Sequence, residues 1–553
     1  MANYATWNPL AYKQATHTGA YYDEGNTKFV VTQVDTYGQF AVTTMPMPMY
    51  GKWYAELMIT TSGSDWPQFG FIPESDVTQM LITDNIQGGT FANFSVVRPN
   101  DGAIFAYGTT SSSSYGSGYS TGDIVMLAFD GTTGKAWWGK NGTWFGDPVA
   151  GTGNGDTFSE PVFVTAGSYL NAGTITLNTE TFRYDPPSGF VALSTENLAE
   201  PSISNLAAEK PEDHFNVVTY TGSGTNQSIT SVGFESDMIW VKQRNAADNH
   251  VLVDSVRGYS KELYPNLTNA ESGNTGSITA TSTGFDLGSG GDLGRFNENT
   301  STYVAWCWKA DGAAVENNDG SITSQVSANT DAGFSIVSYT GTGSNSTVGH
   351  GLSQSPEMII FKERNGATNW PVYHSGLSSA AYAVELNQAL AEFSYPAYFQ
   401  STDPTDSVFY IGTDSYINNS SDNYIAYCWH SVEGYSKFGK YIGNGSADGS
   451  FVYTGFRPKF ILFKKTSGGG DRWFMADTAR SPFNVTLNDG DGGIKLVDAS
   501  ASDAEFANSP AEDFDIVSNG FKFRINDGGS NGVGATYIYM AFAESPFKYS
   551  LAR

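Results

Sequence analysis

The feature that most constrains this chain is a threefold internal repeat. Met238–Lys242 reads MIWVK, Met358–Lys362 reads MIIFK and Phe460–Lys464 reads FILFK. Each follows a Tyr-x-Gly turn: Tyr220 to Gly222, Tyr339 to Gly341 and Tyr441 to Gly443. The tyrosines stand 119 and then 102 residues apart and the lysines 120 and then 102, so two separate markers keep step. A period near one hundred residues is too long for a solenoid turn and suits one β-domain.

At 553 residues the chain can bury several cores, and three to five domains are expected. With 62 glycines, 14% aromatic and only 15% charged residues, it suits turn-rich β-structure with large side chains on strands. No eighteen-residue apolar span occurs, so no membrane helix is expected. The opening MANYATWNPL has neither a basic nor an apolar leader region, so no secretory signal is expected. The net charge of −27 lacks the basic patches that displace counterions from nucleic acid, which excludes that partner class. Such charge also keeps a protein soluble at high local density.

Both cysteines, Cys307 and Cys428, sit in equivalent Tyr-x-Ala-x-Cys-Trp runs, and the third copy has Ala541 there. Equivalent positions in separate domains do not pair, so both are expected as small buried hydrophobes in a chain made in a reducing cytoplasm. Strands are expected over Gly51–Leu57, Gly122–Asp130 and Lys135–Gly139, the last followed by an Asn141-Gly142 hairpin turn. A short helix is expected around Ser378–Glu392. The domain reading is 1–198, a linker 199–212, repeats 213–312 and 331–433 separated by a linker 313–330, and a third repeat 434–553.

GKWYAEL, GDIVMLAFDGTTGKAWWGKNGTWFGDP, PVFVTAG and YDPPSGFVALSTENL, in that order across 1–198, resemble a SPRY domain of the phage type. That resemblance implies a two-sheet, concanavalin-like β-sandwich serving as a binding or structural module. The FxVVxYTGxG, PxxIIxKxR and YxAxCW motifs of copies one and two, eroded in copy three, resemble modules that follow SPRY-like domains in tail and fibre proteins of marine tailed phages. Together they imply an all-β chain: an N-terminal SPRY/concanavalin-like β-sandwich followed by three tandem β-sandwich repeats, arranged as independent beads.

Candidate chemistry is sparse. Gly118-Tyr119-Ser120-Thr121-Gly122 matches the nucleophile-elbow pattern but lies between a Ser/Gly loop and a strand, where a helix should follow. Asp254, His374 and Asp477 share one repeat position, and a position that interchanges Asp and His points to a strand-end hydrogen bond rather than catalysis. Asn488–Gly493 is rich in oxygen ligands but lacks EF-hand spacing, so a hairpin turn is expected and no metal or other cofactor. Lys242, Lys362 and Lys464, with Arg244 and Arg364, suit strand-edge gatekeepers, or else a cation row for an acidic glycan. Trp137 and Trp138 face opposite sides of a strand, with one expected in the core and one nearer the surface. Tyr115 and Tyr119, in an adaptable Ser/Gly loop from Thr109 to Gly122, are the candidate ligand contacts, with structural packing or plain disorder of the loop as the favoured alternative.

The expectation is therefore a non-enzymatic phage virion protein, a tail fibre or receptor-binding subunit attaching to a host surface glycan or protein. A homotrimer alongside other virion proteins follows by the same resemblance, without membrane insertion. A head fibre, capsid decoration or tail collar is the alternative in the same setting. A polysaccharide depolymerase is the enzymatic alternative, although no carboxylate pair stands out.

Overall fold

The computed structural model describes all residues except 1–2, 12–18, 33–38, 62–67, 81–94, 98–101, 107–114, 169–171, 274–277, 290–294, 485–492, 507–512 and 549–553. The described residues are almost entirely strand and turn. They divide into two compact units, Met1–Ala199 with Ile442–Tyr453, and Glu200–Tyr441 with Thr454–Arg553.

In the first unit two antiparallel sheets face each other. One runs Ala20–Asp23, Lys28–Val31, Gly173–Asn178, Lys52–Thr61, Ile124–Asp130, Lys135–Lys140, Thr143–Trp144. The other runs Gln39–Val42, Val162–Ser168, Gln68–Pro73, Ser95–Val97, Ile104–Ala106. Phe71 of the second sheet meets Trp138 and Phe129 of the first, at ring distances of 5.1 and 6.2 Å, so this is a sandwich with an aromatic core. Trp137 and Trp138 do point to opposite faces, yet both are fully buried. The outer face of their sheet is covered by Phe182, Tyr184 and Phe190, which pack with Tyr54 and Trp137. A cover contributed by a distant segment leaves no trace in the alternation of one strand.

The second unit contains the three copies apart from Ile442–Tyr453, each built on one antiparallel sheet with the same register. Met238 pairs with Asp254 and Trp308, Met358 with His374 and Trp429, and Phe460 with Asp477 and Phe542. Successive side chains leave a strand on opposite faces. Ile239, Val241 and Cys307 face the first copy's own core, closed by a small sheet of Gln227–Ile229, Gly284–Leu287 and Ile278–Thr281. Met238, Trp240, Trp306 and Trp308 face the other way, into a cluster shared by all three copies. There Phe215 stacks on Phe542 at 4.7 Å, and Trp308 meets both Trp429 and Phe460, at 6.3 and 6.0 Å. Burial on both faces explains why MIWVK, MIIFK and FILFK are continuous apolar runs rather than alternating ones.

The copies are therefore not independent beads; they are sandwiches that share a second core. Residues 313–330, read as a linker, contain the strands Val315–Asn317 and Ser324–Asn329, which extend the second copy's sheet beside Phe334–Thr340. Ile203, in the stretch read as the 199–212 linker, is buried in the shared core. The helix expected around 378–392 is absent. Tyr382–Glu385 is a strand whose Val384 pairs with Val372, since an edge offering ladder hydrogen bonds outweighs weak helical periodicity. Cys307 and Cys428 are free and buried, and burial pushes the Cys307 thiol up to about 12.

Candidate functional site

The repeat position occupied by Asp254, His374 and Asp477 lies at the end of a buried strand, where each side chain first caps a local turn. Arg257 N–H donates to Asp254 Oδ1 at 2.8 Å, Arg480 N–H to Asp477 Oδ1 at 2.9 Å, and Gly376 N–H to His374 Nδ1 at 2.9 Å. The expected strand-end hydrogen bond is present. It is also half of a larger device, because each side chain reaches a neighbouring copy. Tyr427 Oη of copy two donates to Asp254 Oδ2 of copy one at 2.7 Å. Trp306 Nε1 of copy one donates to Asp477 Oδ2 of copy three at 3.1 Å. His374 Nε2 of copy two donates to the Tyr539 carbonyl of copy three at 3.1 Å. These contacts link two to one, one to three and three to two, so the cycle closes within one chain.

Two further layers repeat the cycle. Trp370 Nε1 donates to the Leu267 carbonyl, His250 Nε2 to that of Asp498 and Trp473 Nε1 to that of Glu385, each at 2.9 Å. The amides of Glu271, Glu505 and Glu392 donate to the carbonyls of Arg364, Arg244 and Thr466. Arg364 and Arg244 return bidentate ion pairs to Glu271 and Glu505, and Arg257 and Arg480 join them at 3.2 and 3.4 Å. At the third junction the charged set has been replaced as a group. His374 stands for Asp, Leu377 for Arg257 or Arg480, and Thr466 for Arg244 or Arg364. Glu392 there turns to the amide and hydroxyl of Ser378. A buried carboxylate without its arginine is costly, so ions must be lost together. The Asp/His interchange is thereby explained.

The repeat lysines are neither gatekeepers nor an exposed cation row, because Lys242, Lys362 and Lys464 are fully buried. Backbone carbonyls take their ammonium protons. Lys242 Nζ donates to Gln243 O at 2.8 Å, Lys362 Nζ to Gly366 O at 3.2 Å, and Lys464 Nζ to Gln388 O and Asp471 O at 3.0 and 2.6 Å. Burial lowers them to about 8, 8 and 7 respectively. A row of dry lysines cannot meet a glycan. The first and third residues of MIWVK face the shared core, and the lysine, as the fifth, belongs to that set.

Tyr119 is buried edge-on against Phe69 at 4.8 Å, and its hydroxyl donates to Gly139 O at 3.2 Å. Tyr115 is half-buried beside Trp138 and Phe145 and donates to Gly153 O at 2.8 Å. Both rings pack against the first unit's core, and residues 109–114 of their loop lie outside the described residues. Ser120 is followed by a turn and the strand Ile124–Asp130, not by the helix an elbow needs. The oxygen-rich stretch 488–492 also lies outside the described residues. Among the described residues, no group of three or more His, Cys, Asp or Glu side chains could hold a metal ion.

An open concavity with converging polar groups is a cleft of about 410 Å³ in copy two, lined by Asn369, Glu385, Leu390, Phe393, Tyr395, Tyr398, Asp414 and Tyr416. Glu385 ends the Tyr382–Glu385 strand, and its carboxylate accepts from Asn369 Nδ2 at 2.8 Å and Tyr398 Oη at 3.3 Å. Asp414 caps the short helix Ser415–Asn418 through Tyr416 N–H and accepts from Tyr395 Oη at 2.8 Å. Burial, with Asp414 nearby, raises the Glu385 carboxyl above its ordinary value. Reading the sequence missed these residues. The available signal was the aromatic run Tyr395-Pro-Ala-Tyr398-Phe399, which belongs to copy two.

No curated protein matches the chain. Solved structures similar to it in part include two SPRY domains. One, described as the crystal structure of a human SPRY domain, is 15% identical and covers 30% of this chain and 98% of its own, with a TM-score of 0.24. The other, the SPRY domain of human HERC1, is 11% identical and covers 32% and 99%, with a TM-score of 0.25. The interlocked copies coincide with one family model, described as a domain of unknown function (DUF7483), which matches residues 210–546. Since that span takes in more than half of the residues, the chain belongs to the DUF7483 family.

Proposed function

We propose that this protein is a non-enzymatic structural component of a tailed-phage virion, a tail-fibre or receptor-binding subunit that attaches to the host surface. The observation that carries the reading is the cyclic interlock. The buried side chains of Asp254, Asp477, His250 and His374 are spent on holding one copy to the next. Asp254–Arg257 and Asp477–Arg480 are wholly buried ion pairs with no route for a substrate. A catalytic acid or base must reach the proton it moves, whereas a rigid carrier of surface loops needs dry, mutually satisfied junctions. The virion setting rests on the SPRY-like and repeat motifs, and the strong negative charge supports solubility at high copy number.

The test is mass spectrometry of density-purified particles of a phage that encodes the chain, together with adsorption competition by added full-length protein. Peptides of the chain in the particles and slowed adsorption are expected. Absence from particles, or sustained release of reducing sugar from host polysaccharide by the protein alone, would overturn the proposal.

A further inference from the structure

The aromatic cleft of copy two has counterparts in the other copies, and the comparison shows what it lacks. Trp370 N–H donates to Asn387 Oδ1 as His250 N–H donates to Asn266 Oδ1, which aligns Glu385 with Tyr264. Leu386 N–H donates to Trp370 O as Ala499 N–H donates to Trp473 O, which aligns Glu385 with Asp498. In copy one, the Arg295 guanidinium lies over the Tyr264 ring at 4.8 Å and donates to its hydroxyl at 2.6 Å. In copy three, Arg472 stands 3.6 Å from Asp498. Two of the three equivalent places thus carry an arginine supplied by the chain itself.

Copy two supplies none. Tyr220 and Tyr339 donate to the carbonyls of Phe296 and Ile417, so the place of Arg295 is taken by Tyr416. The place of Arg472, just before Trp473, is taken by Asn369, just before Trp370. Among the described residues, no lysine or arginine lines the cleft. Glu385 is only 7% exposed and holds two neutral donors, while its carboxylate has about four lone-pair sites. The Tyr395 and Tyr398 hydroxyls and the Asn369 amide already donate to the two carboxylates. The cleft is thus acceptor-rich, negative and walled by aromatic rings, which attract a flat cation to their faces. Its volume exceeds a guanidinium, and Leu390 and Tyr395, 58% and 37% exposed, offer apolar contact to flanking residues.

We infer that this cleft receives the arginine side chain of a polypeptide partner, completing from outside the contact that copies one and three make internally. The inference goes beyond the virion reading and stands or falls apart from it. It is tested on the full-length protein by calorimetric titration with N-acetyl-arginine methylamide, the neutral citrulline analogue and an Arg-centred pentapeptide. The expected result is binding of both arginine probes, the peptide more tightly, and none of the citrulline probe. Glu385→Gln keeps the backbone carbonyl that Trp473 uses and should weaken the peptide about tenfold, as expected for loss of a charge-assisted bond. Asp414→Asn, on a half-buried residue, gives the same readout should the first variant misfold. Asn369→Arg restores the copy-three arrangement and should abolish binding while leaving the melting temperature unchanged or higher. Equal affinity for arginine and citrulline probes would overturn the proposal, as would unchanged peptide affinity in both carboxylate variants. Equal affinity for the amide and the peptide would overturn the polypeptide assignment.

Discussion

At the scale of single residues, the instructive case is one repeat position filled by Asp, His and Asp. In a buried junction the identity of one side chain is set by its partners in another copy. Asp254 and Asp477 come with Arg257 and Arg480, and His374 comes with Leu377. His374→Asp should therefore cost about 3–5 kcal/mol, the usual penalty for an uncompensated buried charge. Adding Leu377→Arg should recover part of it, and a double-mutant cycle in urea should give a coupling of at least about 1 kcal/mol. Tyr427→Phe, which strips a donor from Asp254, should cost about 1–3 kcal/mol by the same assay. Strict additivity in the cycle would remove the idea that the position is read as a set.

The buried titratable groups also set a pH profile. Folding holds Lys242, Lys362 and Lys464 at about 8, 8 and 7, below the ordinary lysine value of 10.5. Between these limits the unfolded chain binds more protons than the folded one, so stability rises with pH. The gain is complete only above the ordinary lysine value. Above about pH 10, tyrosines such as Tyr303, pushed up to about 12, reverse the trend, because only the unfolded chain ionises. On the acid side His250 is held down at about 3, with His350 and His374 at about 4. Their contribution is present above the ordinary histidine value of 6.5 and is lost as pH falls through the folded values. Urea midpoints should therefore climb from pH 7 towards 10, and Lys464→Met should flatten that climb.

At the scale of elements, each central strand serves two cores. The Thr302–Trp308 strand sends Cys307 into the first copy's own sandwich and Trp306 and Trp308 into the shared cluster. Trp308→Ala should cost about 3–5 kcal/mol, as for other buried large-to-small changes. Because Trp308 touches Trp429, Phe460 and Phe542, hydrogen exchange should speed up in all three copies. Cys307→Ala, on the opposite face of the same strand, should speed exchange mainly within copy one. Faster exchange confined to copy one in the tryptophan variant would contradict a shared core.

At the scale of the whole molecule, the cycle of contacts makes the three copies one cooperative body. Heating should unfold residues 200–553 in a single calorimetric transition, and a chain ending at residue 433 should lose ordered packing in the two copies that remain. That truncation uncovers Phe215, stacked on Phe542, and Trp308, edge-on to Phe460 of copy three. Near-ultraviolet circular dichroism of the truncated chain is the direct check, and retained native bands would argue for self-sufficient copies.

The sequence by itself determined the all-β class, the three copies, the apolar runs at their centres and the burial of both cysteines, because period and residue type act locally. It carried the interlock only as anomalies: a lysine closing an apolar run, Asp exchanged for His, and an arginine lost from copy three. Only the tertiary structure decided what those meant. Whether a strand's second face meets solvent or another copy depends on residues a hundred or more positions away. The copy-two cleft was hidden for the same reason, since Asn369, Glu385, Tyr395, Asp414 and Tyr416 come together only through the fold.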